Sequence, residues 1–286
     1  MNRKYFKQSS ILTLIMLISI LQTNCSQIGQ QVSGFNLYST AEEMRIGYEY
    51  SKQIEQQIAL NKNADIIEYI NDLGQRMVQV SKRSNIPFTF KVVDDPAVNA
   101  FAIPGGFCYV NTGLIRFAET EAELASVIGH EIGHVVGEHS MKRMSKARAI
   151  NATLSLGSIL GSIFIGKETT ENVLLVADLA GTGILLNYSR GDELEADRLG
   201  IQQMHDAGIN PIGSQQFFEK LSSKDKEGPS EIEKLLSTHP ATKDRVKQAR
   251  KLINKLPEKT YSPVSNARFD LVKKLLPEIE NNPIVN

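Results

Sequence analysis

The sequence predicts a mostly helical α+β fold. Apolar residues recur at helical spacing from about residue 40 to 80, and again from Glu119 to about Lys255. Between these stretches lie three short strand candidates, Phe88–Val93, Asn99–Ile103 and Phe107–Asn111. Asp94-Asp95-Pro96 and Pro104-Gly105-Gly106 punctuate them as turns. A chain of 286 residues, 41% hydrophobic and 22% charged, can bury a full core without disulfides or metal as staples. Lys+Arg 32 balance Asp+Glu 32 and no run of like charges stands out, so no nucleic-acid partner is expected.

At the N-terminus, Arg3, Lys4 and Lys7 precede an apolar run from Ile11 to Leu21 that is too short to span a bilayer comfortably. Residues 1–24 read as an export signal. The run ends in Leu21-Gln22-Thr23-Asn24-Cys25, which resembles a bacterial lipoprotein signal in which Cys25 becomes the lipidated first residue. An uncleaved anchor and an ordinary cleaved signal are the alternatives, and all three place the body of the protein outside the cytoplasm. With Cys25 lipidated, Cys108 has no partner and reads as an inert buried thiol.

Residues 25–39 are polar and read as a tether. Thr40-Ala-Glu-Glu43 has the form of a capping box that opens the first helix. A second helix is expected from Ala64 to Val80, with Ile66, Ile67, Ile70, Leu73, Met77 and Val80 on one face. Residues 152–165 and 172–187 are apolar stretches, each under the ~20 residues that cross a bilayer. They read as a buried helical hairpin or as a membrane-contacting or gating element. A domain over 40–256 is followed by a looser extension, 257–286, in which Phe269–Leu276 forms a last helix. No internal repeat and no Gly-rich phosphate loop is present.

The chemistry lies in Gly129-His130-Glu131-Ile132-Gly133-His134. Residues four apart share a helix face, so His130 and His134 can direct imidazole nitrogens at one Zn²⁺. Glu131 reaches the water beside the metal and is the candidate general base. Apolar flanks bury this helix, and buried polar side chains need partners. The three-histidine version of the motif needs a histidine at 140, where Ser140 stands. His139 lies about 140° round a helix from His134 and reads as a surface or core-edge residue.

A third ligand is sought downstream. In Asp192-Glu193-Leu194-Glu195-Ala196-Asp197, Glu193 and Asp197 share a helical face while Glu195 faces elsewhere. Glu193 is the candidate ligand. Asp197 is the candidate acceptor of a ligand histidine's outer N–H. In Ser237-Thr238-His239-Pro240…Arg245, the proline extends the backbone of His239 at a helix start. His239 either stabilises the oxyanion of a tetrahedral intermediate or caps the metal as a fourth ligand. Arg245 orients His239 or the helix that carries it.

These strings, together with Asn99-Ala-Phe-Ala-Ile-Pro-Gly-Gly106 and Tyr109-Val-Asn-Thr-Gly113, resemble the HtpX and CAAX-prenyl-protease superfamily of zinc metallopeptidases. The resemblance covers about residues 40–255 and is nearest to the soluble periplasmic, BepA/LoiP-like lipoprotein branch. The repeat domain found after the protease in some of those relatives is not expected here. The resemblance implies a gluzincin fold with a small sheet beside the active-site helix. It implies one Zn²⁺ per chain on His130, His134 and Glu193, with Glu131 as base and His239 and Arg245 as catalytic residues. Asn99, Ala100, Phe101, Ala102 and Ile103 would form an edge strand that binds extended peptide. The expected activity is endoproteolysis of misfolded or unassembled envelope proteins. The alternative is a chaperone-like or scaffold lipoprotein with a capped, conditionally active zinc site.

Overall fold

A computed structural model describes residues 35–149, 188–224, 232–240 and 243–277. The export signal 1–24, Cys25, most of the tether and the two apolar stretches of 152–187 lie outside the described residues. The chain divides into two compact units, 1–38 with 141–172 and 39–140 with 173–286. In the first unit the Leu37 amide donates to Ser145 Oγ at 2.9 Å and Arg148 lies over the Tyr38 ring at 5.6 Å.

The second unit carries the α+β fold. Its first helix, α1 (Thr40–Glu55), is capped by Ser39, whose hydroxyl accepts the Glu42 amide while Glu42 reaches back to the Ser39 amide. The capping box therefore starts one residue earlier than the sequence suggests. Helix α2 (Ala64–Val78) starts at Asn63 and buries Ile66, Ile70, Leu73 and Met77 completely. Each such side chain contributes about 1.5–3 kcal/mol relative to exposure. Val80, expected on that face, lies past the helix end and is exposed.

Strands β1 (Thr89–Val93), β2 (Ala100–Ile103) and β3 (Phe107–Asn111) form one sheet in the order β1-β3-β2. β1 runs parallel to β3 and β2 antiparallel to it, joined through the Pro104–Gly106 turn. Gly105 and Gly106 take φ of 78° and 85°, the left-handed region that favours glycine. β2 is thus an edge of the sheet. After a short helix α3 (Thr112–Phe117) comes α4 (Glu121–Val136), in which 15 of the 16 residues are buried. Helices α5 (Arg190–Asp206) and α6 (Ile212–Lys224) pack against it, and α8 (Lys243–Ile253) covers both, preceded by α7 (Glu233–Thr238). Helix α9 (Ala267–Leu275) docks on α2 through fully buried Phe269.

Two features fix the position of α4. A Cβ on Gly133 would stand 2.6 Å from the Ala196 carbonyl oxygen, and one on Gly200 2.8 Å from the Gly129 carbonyl carbon. The bare backbones of α4 and α5 therefore touch, which brings the acidic face of α5 up to the histidines. At the far end Arg83 forms a bidentate pair with buried Glu43 (2.6 and 3.2 Å) and donates to the Val135 carbonyl at 2.9 Å. Glu43 also accepts the Gly105 amide at 3.2 Å. This buried carboxylate ties α1, the β2–β3 turn and the end of α4 together. Among the described residues, no helix is long and apolar enough to cross a membrane.

Candidate metal centre

His130, Glu131 and His134 lie on α4, Glu193 near the start of α5 and His239 just after α7, all nearly fully buried. One donor atom from each of His130, His134, Glu193 and His239 falls within 4.8 Å of all the others. His130 Nε2 lies 2.9 Å from His134 Nε2 and 3.2 Å from His239 Nδ1. The Glu193 oxygens lie 3.0 Å from His239 Nδ1, 3.4 Å from His130 Nε2 and 3.4 Å from His134 Nε2.

This donor set fits a divalent metal. His130 Nδ1 is 2.7 Å from Asp197 Oδ1, which can only accept, so that nitrogen carries a proton and Nε2 is the nitrogen turned inward, free to give its lone pair to a cation. Lone pairs and a carboxylate crowded together out of water are unfavourable unless a cation joins them. The spacing of the donors matches the ~3.3 Å between neighbouring ligand atoms in a tetrahedral shell about 2.0–2.1 Å from zinc.

Behind His130 the charges are closely matched. Arg245 donates from Nε (2.8 Å) and Nη2 (2.7 Å) to the two Asp197 oxygens, and its Nη1 stands 2.8 Å from Glu193 Oε2. Nη1 also donates to the Pro240 carbonyl at 3.2 Å, next to His239. Burial alone would raise the Asp197 carboxyl, but the charge and hydrogen bonds of Arg245 together with those of His130 outweigh it and lower the pKa. Burial likewise works against an ionised Glu193, yet the His130 charge and the bonds from His130, His134 and His239 hold it far below the usual carboxylate range.

Glu131 is placed differently. Its Oε2 accepts the Ala102 amide of β2 at 3.0 Å. Among the described residues its Oε1 has no hydrogen-bond partner, and it lies 3.5 Å from His239 Nε2. Burial pushes this carboxyl above its ordinary value, against the lowering effect of His239 and His130. The Asn111 amide bonds to the Asn99 carbonyl at 3.0 Å, so by antiparallel alternation Asn99, Phe101 and Ile103 turn their backbone groups to β3. Ala100 and Ala102 turn theirs to the edge, beside Glu131. The Phe101 ring stacks on Tyr109 with centroids 4.8 Å apart. Cys108 is a buried free thiol, as its position suggests, and burial raises its pKa.

Sequence reasoning misplaces one residue. His139 is 1% exposed and directs Nδ1 at His134 Nδ1, 2.8 Å away. Its phase round the α4 helix is irrelevant, because the helix stops at Val136 and Glu138 takes a φ of 56° that turns the chain back. Tyr188, which no motif points to, stacks on the His134 ring with centroids 3.7 Å apart.

Comparison with known proteins shows the family of the chain. The beta-barrel assembly-enhancing protease of Escherichia coli O157:H7 is 33% identical over 223 residues, covering 76% of this chain and 45% of that protein. The putative beta-barrel assembly-enhancing protease of Vibrio cholerae is 30% identical over 225 residues, 78% of this chain and 46% of that protein. The mitochondrial metalloendopeptidase OMA1 of Schizosaccharomyces pombe is 30% identical over 190 residues, 66% of this chain and 53% of that protein. The chain spans about half the length of these relatives. The family model for peptidase family M48 matches residues 66–253, a span that holds the H-E-x-x-H helix, Glu193, Asp197, His239 and Arg245. As the motifs lead one to expect, the chain belongs to peptidase family M48.

Proposed function

We propose that the chain is a zinc metalloendopeptidase, exported to the bacterial cell envelope, that cleaves misfolded or unassembled proteins. The observation that carries this reading is that Glu131 lies beside the four-donor cluster and bonds to the Ala102 amide on the edge strand β2. His130, His134 and Glu193 would hold the ion. Imidazole and carboxylate donors without thiolate suit catalytic zinc. A bound zinc would supply Lewis-acid polarisation of the scissile carbonyl.

The protein's own residues do the rest. Glu131 Oε1, which accepts no hydrogen bond from the described residues, takes a proton from the attacking water and returns it to the leaving amine. The Ala102 amide fixes the other oxygen and so the plane of the carboxylate. The Ala100 backbone groups and the Ala102 carbonyl, turned to the sheet edge, accept an extended peptide by strand addition. Asn99, Phe101 and Ile103 hold that strand on β3. Such recognition reads backbone rather than side chains, which favours unfolded substrates, and the bacterial relatives are named for proteolysis and beta-barrel assembly. Export and anchoring rest on the basic and apolar N-terminal residues and on Cys25, whose replacement by Ala should release the protein from membranes.

One observation favours a second reading. His239 Nδ1 sits inside the donor cluster, 3.0 Å from Glu193. Acting as a fourth ligand, His239 would close the site at rest and make proteolysis conditional. Digestion of casein by the full chain, beside a Glu131→Gln variant and a chelator-treated sample, tests the main reading. Cleavage should vanish in both controls, with the loss of the base costing about 10²–10⁴-fold in rate. A wild-type chain that binds zinc yet leaves casein intact would overturn the open-site enzyme. His239→Ala then raises turnover if His239 caps, and lowers it if His239 supports the oxyanion.

A further inference from the structure

We propose that His139 is a positioning residue for His134, and that Glu195 sets the tautomer in which it works. The proposal rests on the reading that His134 holds a metal ion. Several independent features converge on the His139 ring. Gly137 ends α4, and a Cβ there would stand 2.4 Å from His139 Nε2. Glu138 takes the left-handed backbone, the only non-glycine residue to do so among those described. Both departures are what place His139 beside His134 instead of a turn further along a helix. Strained backbone of this kind persists where the surrounding structure demands it, and it clusters at functional sites.

The hydrogen-bond chemistry then runs in one direction. Two neutral imidazoles facing each other through Nδ1 at 2.8 Å must share one proton. On the far side of His139, Nε2 lies 3.4 Å from Glu195 Oε2 and 4.0 Å from Asp192 Oδ1. Carboxylates only accept, so Nε2 carries a His139 proton; with His134 Nε2 turned to the donor cluster, the proton shared between the two Nδ1 atoms belongs to His134 and His139 Nδ1 is bare. That bare nitrogen accepts the His134 Nδ1–H, which leaves the lone pair of His134 Nε2 directed into the donor cluster. The chain is carboxylate, imidazole, imidazole, site. Tyr188, stacked on His134 at an interplanar angle of 16°, fixes the plane in which it operates, and its hydroxyl is 3.0 Å from Ser140 Oγ. Helix α5 thereby serves the centre from two faces. Glu193 and Asp197 face the cluster, while Asp192 and Glu195, three residues apart, face His139.

Zinc affinity of the full chain, read by competition with a chromogenic chelator, tests this. Groups that orient a ligand histidine are typically worth 10–100-fold in metal affinity. His139→Leu, which fills the space but accepts nothing, should weaken zinc by about that factor. His139→Gln, which restores an acceptor, should recover part of the loss. In ¹⁵N-histidine spectra of the metal-free chain, His139 should carry its proton on Nε2 and His134 on Nδ1. Glu195→Ala should remove that preference at His139. A merely structural role would lower the melting temperature of His139→Leu and leave zinc affinity within about twofold of wild type, which overturns the proposal. If His139→Leu does not fold, Glu195→Ala decides: unchanged zinc affinity and unchanged tautomers also overturn it. Failure of the underlying reading looks different, because the wild-type chain itself would then bind no zinc.

Discussion

The two histidines of the H-E-x-x-H helix are held from behind in contrasting ways. His130 leans on a buried ion pair, with Asp197 1% and Arg245 5% exposed at the side chain, joined by two charge-assisted bonds. His134 leans on a second imidazole, and the carboxylate beyond that ring, Glu195, has a side chain that is 43% exposed. Both supports draw on α5, two residues apart on opposite faces. One flank therefore orients its histidine with charge that cannot be separated cheaply. The other uses hydrogen-bond direction and ends at solvent.

The largest expected effect tests the charged flank. Asp197→Ala breaks the bidentate pair and leaves the buried Arg245 guanidinium only its contact with Glu193 Oε2 among the carboxylates described around it, and should destabilise the metal-free chain by about 3–5 kcal/mol in urea unfolding. His139→Leu leaves one buried N–H unsatisfied on His134 and should cost about 1–3 kcal/mol by the same measure. Equal losses would erase the distinction between the flanks. Replacing both partners sharpens it. With Asp197→Leu and Arg245→Met together, the buried pair is removed as a unit and only Glu193 loses a neighbouring cation, so part of the stability lost in Asp197→Ala should return. Zinc affinity should stay low in the double variant, because His130 has lost its acceptor.

Much of this centre is legible in the sequence, and the limit has a physical form. The four-residue spacings His130/His134 and Glu193/Asp197 translate directly into shared helix faces, because both pairs lie within unbroken helices. The same geometry correctly turns Glu195 away from Glu193, yet the face it turns to holds His139. His139 itself defeats the helical wheel: Gly137 ends the helix and Glu138 reverses the backbone, so angular phase carries no information beyond Val136. Tyr188 and the Glu43–Arg83 clasp are contacts between segments far apart in the chain, which no local spacing encodes. The glycines at 129 and 133 do carry a signal, four residues apart and facing Ala196 and Gly200. That spacing is the mark of two helices in backbone contact.

The flanks also titrate in opposite senses once metal is removed. Burial alone would lower the His130 pKa, but the Glu193 charge and the Asp197 bond raise it to about 9. Burial, reinforced by the His130 charge, pushes His134 well below its ordinary 6.5. A ring whose folded pKa is raised adds stability that is fully present below pH 6.5 and is lost as pH rises toward 9. A ring whose folded pKa is lowered does the reverse, and its burial destabilises as pH falls below 6.5 and the unfolded chain takes up the proton. Urea midpoints of the chelator-treated chain should therefore decline on the alkaline side in wild type but less in His130→Gln. The acid-side decline should shrink in His134→Gln. An alkaline decline that survives His130→Gln intact would break the assignment.

The smallest effect separates the flanks by their access to solvent. Glu195 is half-exposed, so its attraction for His139 acts through water and is screened by salt. Glu195→Ala should cost the metal-free chain about 0.2–1 kcal/mol at low ionic strength, the ordinary worth of an exposed charged contact. At 1 M salt, where the screening length falls to about 3 Å, that cost should disappear. The cost of Asp197→Ala should not change over the same range, because buried charges are screened far less. A Glu195 effect that persists in high salt would mean that the carboxylate acts by a fixed hydrogen bond to the ring rather than by its charge. The His134 flank would then be as rigid as its neighbour, with the difference between them lying only in how much charge each one buries.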